Sequence, residues 1–433
     1  MFRAALDAAG PAAAVLRHVR VQDDVLLVGK RKYPLKSFRN VYVIGAGKAG
    51  AAMAQAVEKL LGKRITAGYL NVKYGHTARL RHIRLNECGH PVPDDNGVKG
   101  AQEIAGLAAN AGAGDLVICL VSGGASALLP FPAEPITLAE KQETTRLLLR
   151  SGANIAEMNA VRKHISGIKG GRLAALASPA TLVSLLLSDV IGNDIAVIGS
   201  GITAPDPATF GDALGVLTKY DLTGSVPPAV RSRLTEGAAG RIPETPKEGH
   251  PAFQKTQNLI VGSNDLALEA ASGAARKMGF RTMILSSLIE GETREVAKVH
   301  AAIAKEILRA GRPLRAPACV ISGGETTVTI RGEGLGGRNQ EFALAAALEI
   351  QGLKGVAILS GGTDGSDGPT DAAGAVVDGS SVQDGSKQGL DARAFLQNND
   401  SYHYLDPIGR LIRTGPTNTN VMDVRLVLVN SAP

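Results

Sequence analysis

CVISGGETTVTIRGEGLGGRNQE, Cys319 to Glu341, is the stretch whose reading decides the fold. An apolar run, Cys319 to Ile321, leads into Ser322-Gly323-Gly324-Glu325, read as a turn. A β-rich run from Thr326 to Ile330, a glycine-dense loop and Arg338-Asn339-Gln340-Glu341 follow, the last opening an apolar helical pattern. Buried strand, bare backbone and cation, in that order, suit an anion. Glycines let backbone N–H groups approach closely, a helix start offers free N–H groups, and a guanidinium grips two phosphate oxygens at once. The strand-then-Ser-Gly-Gly theme returns in Ile118 to Ser126 (ICLVSGGAS) and Ala357 to Asp367 (AILSGGTDGSD). Three strands are thus expected to deliver Ser-Gly-Gly turns at their C-terminal ends, where open α/β sheets bind ligands.

Working outward, strand and helix patterns alternate on both sides. Before the stretch come Asn258 to Val261, a helix from Asp265 to Met278, a strand from Arg281 to Leu285 and a helix from Glu292 to Leu308. After it come a helix from Gln340 to Ile350 and a strand from Val356 to Leu359, the order a parallel sheet requires. A separate series begins with Val41 to Ile44, which runs into Gly45-Ala46-Gly47-Lys48-Ala49-Gly50 and a helix carrying Met53, Val57, Leu60 and Leu61 at helical spacing. The Gly-, Pro- and charge-rich segment Thr235 to Thr256 reads as a linker. The expected class is α/β with two domains, residues 1–240 built on a parallel sheet and residues 241–433 a second α/β domain.

Composition bounds the function. The chain has 433 residues, 44% hydrophobic and 20% charged, which suits a globular protein of two or more domains. No apolar run approaches the length of a membrane span, the N-terminus has no continuous apolar segment of a signal peptide, and a cytoplasmic setting is expected. Cys88, Cys119 and Cys319 are too few and too scattered for a disulfide frame or a metal cluster. A formal charge of +7 arises from scattered basic residues without tryptophan, which argues for a small anionic substrate rather than a nucleic acid.

The hexad Gly45 to Gly50 satisfies G-x-G-x-x-G, the dinucleotide-binding turn, but its context lacks the ribose-binding acid: Thr66 to Val72 ends in Lys73-Tyr74-Gly75. It is not a Walker A loop either. What it supplies is Lys48 at the mouth of a helix, beside the backbone donors of Gly45 and Gly47. Ser122, Gly123, Gly124 and Ser126 form the Ser-Gly-Gly turn after Asp115 to Val121, with no elbow or triad spacing of a serine hydrolase. In Asn154 to Arg172, an apolar stripe opposes Asn159, Arg162, Lys163, Ser166 and Lys169, a basic face that is either solvated or anion-binding. His90, in a rigid Gly-His-Pro-Val-Pro turn, reads as structural or substrate-orienting. Asp189, just past the C-terminal end of Leu182 to Leu187, is placed as a general base or a metal ligand. In the second half Ser322, Gly323, Gly324, Gly336, Gly337 and Thr363 are candidate phosphate or substrate contacts. Glu325 and Asp364 are candidate ligands of a hard cation, because Gly361 to Asp371 carries three Asp among its glycines.

Taken in order, Gly45-Ala-Gly-Lys-Ala-Gly50, Gly89-His-Pro-Val-Pro93, Val121-Ser-Gly-Gly-Ala-Ser126, Asn159-Ala-Val-Arg-Lys-His164, Lys169-Gly-Gly-Arg172, Ser188-Asp189-Val190, Ile321-Ser-Gly-Gly-Glu-Thr326, Gly336-Gly-Arg-Asn-Gln-Glu341 and Gly361-Gly-Thr-Asp-Gly365 form a pattern. It resembles the class II glycerate kinases, the glycerate 2-kinases with a C-terminal MOFRL domain. The resemblance implies a Rossmann-like N-terminal domain and transfer of the ATP γ-phosphoryl group to D-glycerate with Mg²⁺, at an active site in the cleft between the two domains. It also carries the family's catalytic lysine, aspartate and arginine onto Lys48, Asp189 and Arg338. The partners it implies are ATP and D-glycerate, with no nucleic acid or membrane and a homodimer left open. Because members have also been labelled hydroxypyruvate reductases, an NAD(P)H-dependent reductase is the alternative; the missing ribose acid favours the kinase.

Overall fold

The computed structural model describes residues 1–430. They fall into two compact units. The N-terminal unit comprises Pro11–Ser188 and Asn193–Val261; the C-terminal unit comprises Met1–Gly10, Asp189–Gly192 and the chain from Gly262 onward. The division therefore lies at Val261, beyond the expected 240, and two short pieces of the first half belong with the second. Thr235 is the wrong place for a linker to begin, because a helix runs through it over Pro228–Ala238.

After the helix Pro11–His18, the N-terminal unit forms a small antiparallel meander of β1 (Val19–Gln22), β2 (Val25–Val28) and β3 (Arg31–Pro34). Its main sheet takes β4 (Asn40–Ala46), β5 (Ala67–Lys73), β6 (Arg84–Cys88), β7 (Asp115–Val121), β8 (Thr181–Leu187) and β9 (Thr256–Gly262) in the order β6-β5-β4-β7-β8-β9. The pairs from β6 through β8 are parallel. Every residue of β7 is buried, as a central parallel strand with both faces covered must be. β4 lies between β5 and β7, so the chain leaves in one direction through β5 and returns through β7 on the other side. The C-terminal ends of β4 and β7 sit at that reversal, where such sheets bind ligands.

The C-terminal unit holds β10 (Arg281–Ile289), β11 (Ala318–Gly324), β12 (Val356–Gly362), β13 (Gly374–Asp378), β14 (Leu411–Ile412) and β15 (Asp423–Val429), ordered β10-β11-β15-β12-β13-β14. Only β10 and β11 pair in parallel; the remaining pairs are antiparallel. The parallel sheet expected of this half is therefore corrected to a mixed one. Alternation predicts helical crossovers, but it is blind to the last strand, β15, which inserts between β11 and β12 and reverses the polarity of both pairings. Thr326 to Ile330 is also corrected. It forms no strand, only a bridge at Thr327, because β-rich composition without a partner edge makes no ladder.

Alanines of the helix Thr293–Ala310 and nearly the whole helix Arg338–Glu349 are buried in the core of this unit. The helix Phe2–Ala9 packs on Asn264–Lys277, which explains why the first ten residues join the C-terminal unit. Cys88, Cys119 and Cys319 are buried free thiols, and burial pushes each up to about 12, so they are inert filler. Among the described residues, no helix is long and apolar enough to cross a membrane.

Candidate active site

In the N-terminal unit the turn after β4 is built by close backbone approach. Gly45 and Gly47 have φ of 151° and 144°, and a Cβ at either would come within 2.0 Å of Leu120 O or 2.1 Å of Ser122 Oγ. Only glycine fits there. The Ser122 hydroxyl accepts the Ala49 N–H at 3.0 Å, and the Lys48 N–H donates to Gly123 O at 2.9 Å, which stitches the two turns together. Lys48 leaves this frame half-buried, and among the described residues no acceptor is bonded to its ammonium. His90 lies against Gly124, and burial followed by the charge of Lys48 holds its imidazole down at about 4, so it is neutral at physiological pH.

The basic face of Asn154 to Arg172 is not solvated. The helix Ile155–His164 buries Asn159 and Lys163, and Ser166 and Lys169 are fully buried after it. Lys163 is neutralised by Asp206 at 2.9 Å. Lys169 instead donates to Ser126 O at 2.8 Å and Ser126 Oγ at 3.2 Å; Ser126 Oγ meets Ser200 Oγ at 2.7 Å, and Ser200 donates to Asn159 Oδ1 at 3.2 Å. Arg162 is partly buried and has no hydrogen-bonding partner among the described residues.

In the C-terminal unit, two of the three Ser-Gly-Gly segments are not turns. Ser322-Gly323-Gly324 and Ser360-Gly361-Gly362 are the last residues of β11 and β12, and they flank β15 in matching register. Gly324 and Gly362 face Asp423, Gly323 and Gly361 face Val424, and Ser322 and Ser360 face Arg425. Their glycines make room for neighbours: Gly323 for Asn264 and Gly361 for the Phe2 ring. The Ser322 hydroxyl is taken up by His300 Nε2 at 2.8 Å, since His300 Nδ1 bonds Val296 O and burial holds that imidazole neutral, near 4.

The flanked pair is the centre of the unit. Asp423 and Arg425 are both fully buried. Asp423 receives Arg338 in a two-pronged bond, Nε at 2.8 Å and Nη2 at 3.0 Å, with further donors from Asn339 Nδ2 at 3.0 Å and Arg425 Nη2 at 3.1 Å. The remaining Nη1 of Arg338 meets Glu325 Oε1 at 2.9 Å. These partners raise the Arg338 guanidinium above its usual value despite burial. Glu325 is pushed up by burial, opposed by Arg338, and pushed further by Asp423, Asp189 and Asp364.

The helix start at Arg338 is not open to a phosphate. Asp367 caps it, Oδ1 accepting from Asn339 N at 3.0 Å and Oδ2 from Gln340 N at 2.8 Å. Gly337 is required by this cap, since a Cβ there would lie 2.3 Å from Asp367 Cγ, and Gly336 is closed off similarly by Ser401. Burial raises Asp367 to about 6, because desolvation outweighs its four donors. Thr363 is likewise internal, its hydroxyl donating to Met422 O at 2.7 Å and accepting from Val421 N at 2.8 Å. The three Asp of the glycine loop thus serve different ends. Asp367 caps the helix, Asp371 pairs with Arg413 on the surface, and Asp364 accepts from Ser366 N.

Among the described residues, no three His, Cys, Asp or Glu stand together as a metal cage. A magnesium ion does not need one, because it keeps several waters and takes one or two carboxylates plus phosphate oxygens. Asp423, Asp189 and Asp364 each push the Glu325 carboxyl up, a field that a cation beside Glu325 would relieve, so Glu325 and Asp364 fit such an ion.

Comparison with known proteins identifies the family. The model of the domain of unknown function DUF4147 matches residues 1–235 and that of the MOFRL family matches residues 318–423. A glycerate 2-kinase of Pyrococcus horikoshii is 41% identical over 99% of this chain and 95% of its own. The crystal structure of glycerate kinase from Thermotoga maritima, 39% identical, superposes with a TM-score of 0.88 over 99% of this chain and 97% of that one. The chain belongs to the MOFRL family of glycerate 2-kinases. An Agrobacterium vitis relative, 43% identical over 89% of this chain and 98% of its own, carries a provisional hydroxypyruvate reductase name.

For this glycerate 2-kinase family member, the expected residues divide into two sets. Gly45, Gly47, Lys48, Ser122, Gly123, Gly124, Ser126, Asn159, Arg162 and Lys169 lie in the N-terminal unit. Asp189, Glu325, Arg338 and Asp364 gather in the C-terminal unit, Asp189 by virtue of its four-residue excursion. Ser322, Gly323, Gly324, Gly336, Gly337 and Thr363 are packed against protein groups. Sequence reasoning missed Asp423 and Arg425, and it read Asp367 as one of three loop carboxylates for a cation rather than as the helix cap it is. A signal for the first two was present: Asp and Arg stand two apart inside the otherwise apolar run Val421 to Val429.

Proposed function

We propose that the protein is an ATP-dependent glycerate 2-kinase, transferring the γ-phosphoryl group to the 2-hydroxyl of D-glycerate and releasing ADP and 2-phosphoglycerate. The observation that carries this reading is 41% identity over 99% of the chain with a named glycerate 2-kinase, joined to a lysine over a glycine turn whose ammonium has no hydrogen-bonding partner among the described residues. Phosphoryl transfer through a loose transition state asks the protein for positioning and charge neutralisation rather than covalent chemistry.

In this reading Lys48 neutralises oxygens of the transferring phosphoryl group beside the backbone donors of the Gly45–Gly50 turn. Arg338 keeps its two-pronged bond to Asp423 and exchanges Glu325 at Nη1 for a substrate oxygen. Asp189 orients the attacking hydroxyl and accepts its proton as the phosphorus–oxygen bond forms. Asn159, Arg162 and Lys169 supply donors for an anionic group of the ligand. Glu325 and Asp364 would hold Mg²⁺, which when bound neutralises phosphate charge and organises the phosphate chain.

The reductase alternative is disfavoured by β5. Its end carries Lys73 where a ribose acid would stand, and the nearby Glu87 is engaged by Gly75 N at 2.6 Å. Coupled ADP release with D-glycerate, beside NADH and NADPH oxidation by hydroxypyruvate, decides between them. The kinase reading requires ADP formation dependent on D-glycerate, with NMR showing 2-phosphoglycerate as the product; faster hydroxypyruvate reduction at equal enzyme overturns it.

A further inference from the structure

Lys141 lies on the helix Leu138–Ser151 and is 5% exposed. Its only hydrogen-bonding partner among the described residues is the carbonyl of Ile165, at the long distance of 3.5 Å. Ile165 directly follows the helix that carries Asn159 and Arg162, and it stands four residues before Lys169. These side chains have one feature in common: the hydrogen-bonding capacity left over is all donor. The hydroxyls of Ser126 and Ser200 relay from Lys169 to Asn159 Oδ1, which leaves Asn159, 4% exposed, with an Nδ2 that has no partner among the described residues. Arg162 has no hydrogen-bonding partner among the described residues either.

Among the described residues, no carboxylate offsets this group. On the elements packed around Lys141, Glu140 is tied to Thr137, Glu143 to Arg146, Glu157 to Lys219 and Glu236 to Arg241. The charged groups that act on Lys141 are Arg162, from the helix Ile155–His164, and Arg233, from the helix Pro228–Ala238; Lys169 is in turn acted on by Arg162 and Lys141. Buried cations without counter-charge are expensive and persist when something else supplies the charge.

We propose that Lys141, Asn159, Arg162 and Lys169 form a subsite for one compact oxyanion, a carboxylate or a phosphoryl group, and that Lys141 takes up a proton as the anion binds. The proposal rests on the kinase reading for the identity of the ligands and adds Lys141 to the residues that meet them. Burial and the neighbouring guanidinium groups hold the Lys141 ammonium down at about 7, so at neutral pH it is part neutral. An anion beside it favours the charged form, hence proton uptake on binding. Affinity for the anion therefore weakens as pH rises above 7, by up to about tenfold per pH unit.

The test is calorimetric titration at pH 7 in two buffers of different ionisation enthalpy, using D-glycerate, a non-hydrolysable ATP analogue and inorganic phosphate in turn. The parent is compared with Lys141→Met and Lys141→Arg, so that protons carried by the ligands cancel. Parent-specific proton uptake of roughly half a proton with D-glycerate assigns the subsite to the carboxylate; the same uptake with the ATP analogue alone assigns it to phosphoryl oxygens. Lys141→Arg should keep the affinity and lose its pH dependence, which also guards against a Lys141→Met that fails to fold. Identical proton counts in parent and variants for all three ligands overturn the subsite. Proton-linked D-glycerate binding without any ADP formation would instead sink the kinase reading and leave the subsite standing.

Discussion

Lys48 and Arg338 are both cations at the mouth of a helix after a glycine-rich segment, yet their surroundings are opposite. Lys48 stands on a backbone frame with its ammonium unpaired among the described residues. Arg338 is bound by Asp423 on one edge and Glu325 on the other. A charge without a partner is available to a ligand, whereas a charge held by a fully buried aspartate is first a structural element. The difference means that one lysine can be removed at little cost to the fold, and the arginine cannot, since deleting it takes the two-pronged bond from a buried Asp423 and leaves it only Asn339 Nδ2 and Arg425 Nη2.

The largest expected effect breaks the comparison if it fails. Arg338→Ala should destabilise the C-terminal unit by about 3–5 kcal/mol, as loss of one partner of a buried pair does, and abolish activity with it. Urea unfolding measures the first. A melt equal to the parent's would show that the clamp has no structural role and that the two cations are equivalent after all.

Lys48→Ala should leave circular dichroism melts unchanged while lowering kcat/KM by about 10² or more, roughly 3 kcal/mol of transition-state stabilisation. Activity within threefold of the parent would make the lysine a surface feature. The same loss with KM alone raised would assign it to ground-state binding instead.

Asp367 gives a sign that the arginine clamp does not. Its folded value is raised to about 6, so the folded state binds the proton more tightly than the unfolded state between pH 4 and 6. Its contribution to stability is therefore largest at low pH and is lost as pH rises through 6, with a slope of at most about 1.4 kcal/mol per pH unit. Stability of the parent minus that of Asp367→Asn should fall across this range; a flat difference would mean that the helix cap is fully ionised already at pH 4.

The smallest effect gauges the field of Lys48 directly. His90 is held near 4 first by burial and then by Lys48. Imidazole NMR should show it neutral down to about pH 5, and Lys48→Ala should raise its titration midpoint by a fraction of a unit. No movement would place the Lys48 ammonium away from His90.

Much of the site was legible because glycine turns and strand–helix alternation are local signals. The Gly45–Gly50 turn, the Ser122–Gly124 turn and the parallel core of β4, β5 and β7 follow from patterns a few residues long. The second Ser-Gly-Gly was misread for the same reason: Ser322 to Gly324 has the composition of a turn, but it is held extended by a strand a hundred residues later. Helix-start donors at Arg338 looked open because nothing nearby in sequence announces that Asp367, from another loop, fills them.

The sequence by itself determined an α/β chain with two strand–helix series, a lysine-bearing glycine turn and a family pattern spread over nearly its whole length, because these depend on residue type at short spacing. Only the tertiary structure decided that β15 enters between β11 and β12, that Asp423 locks Arg338, and that Lys141 joins Arg162 and Lys169 in the interior. Those outcomes depend on which distant groups must share a low-dielectric space, where each buried charge needs a partner and local pattern does not say which one it finds.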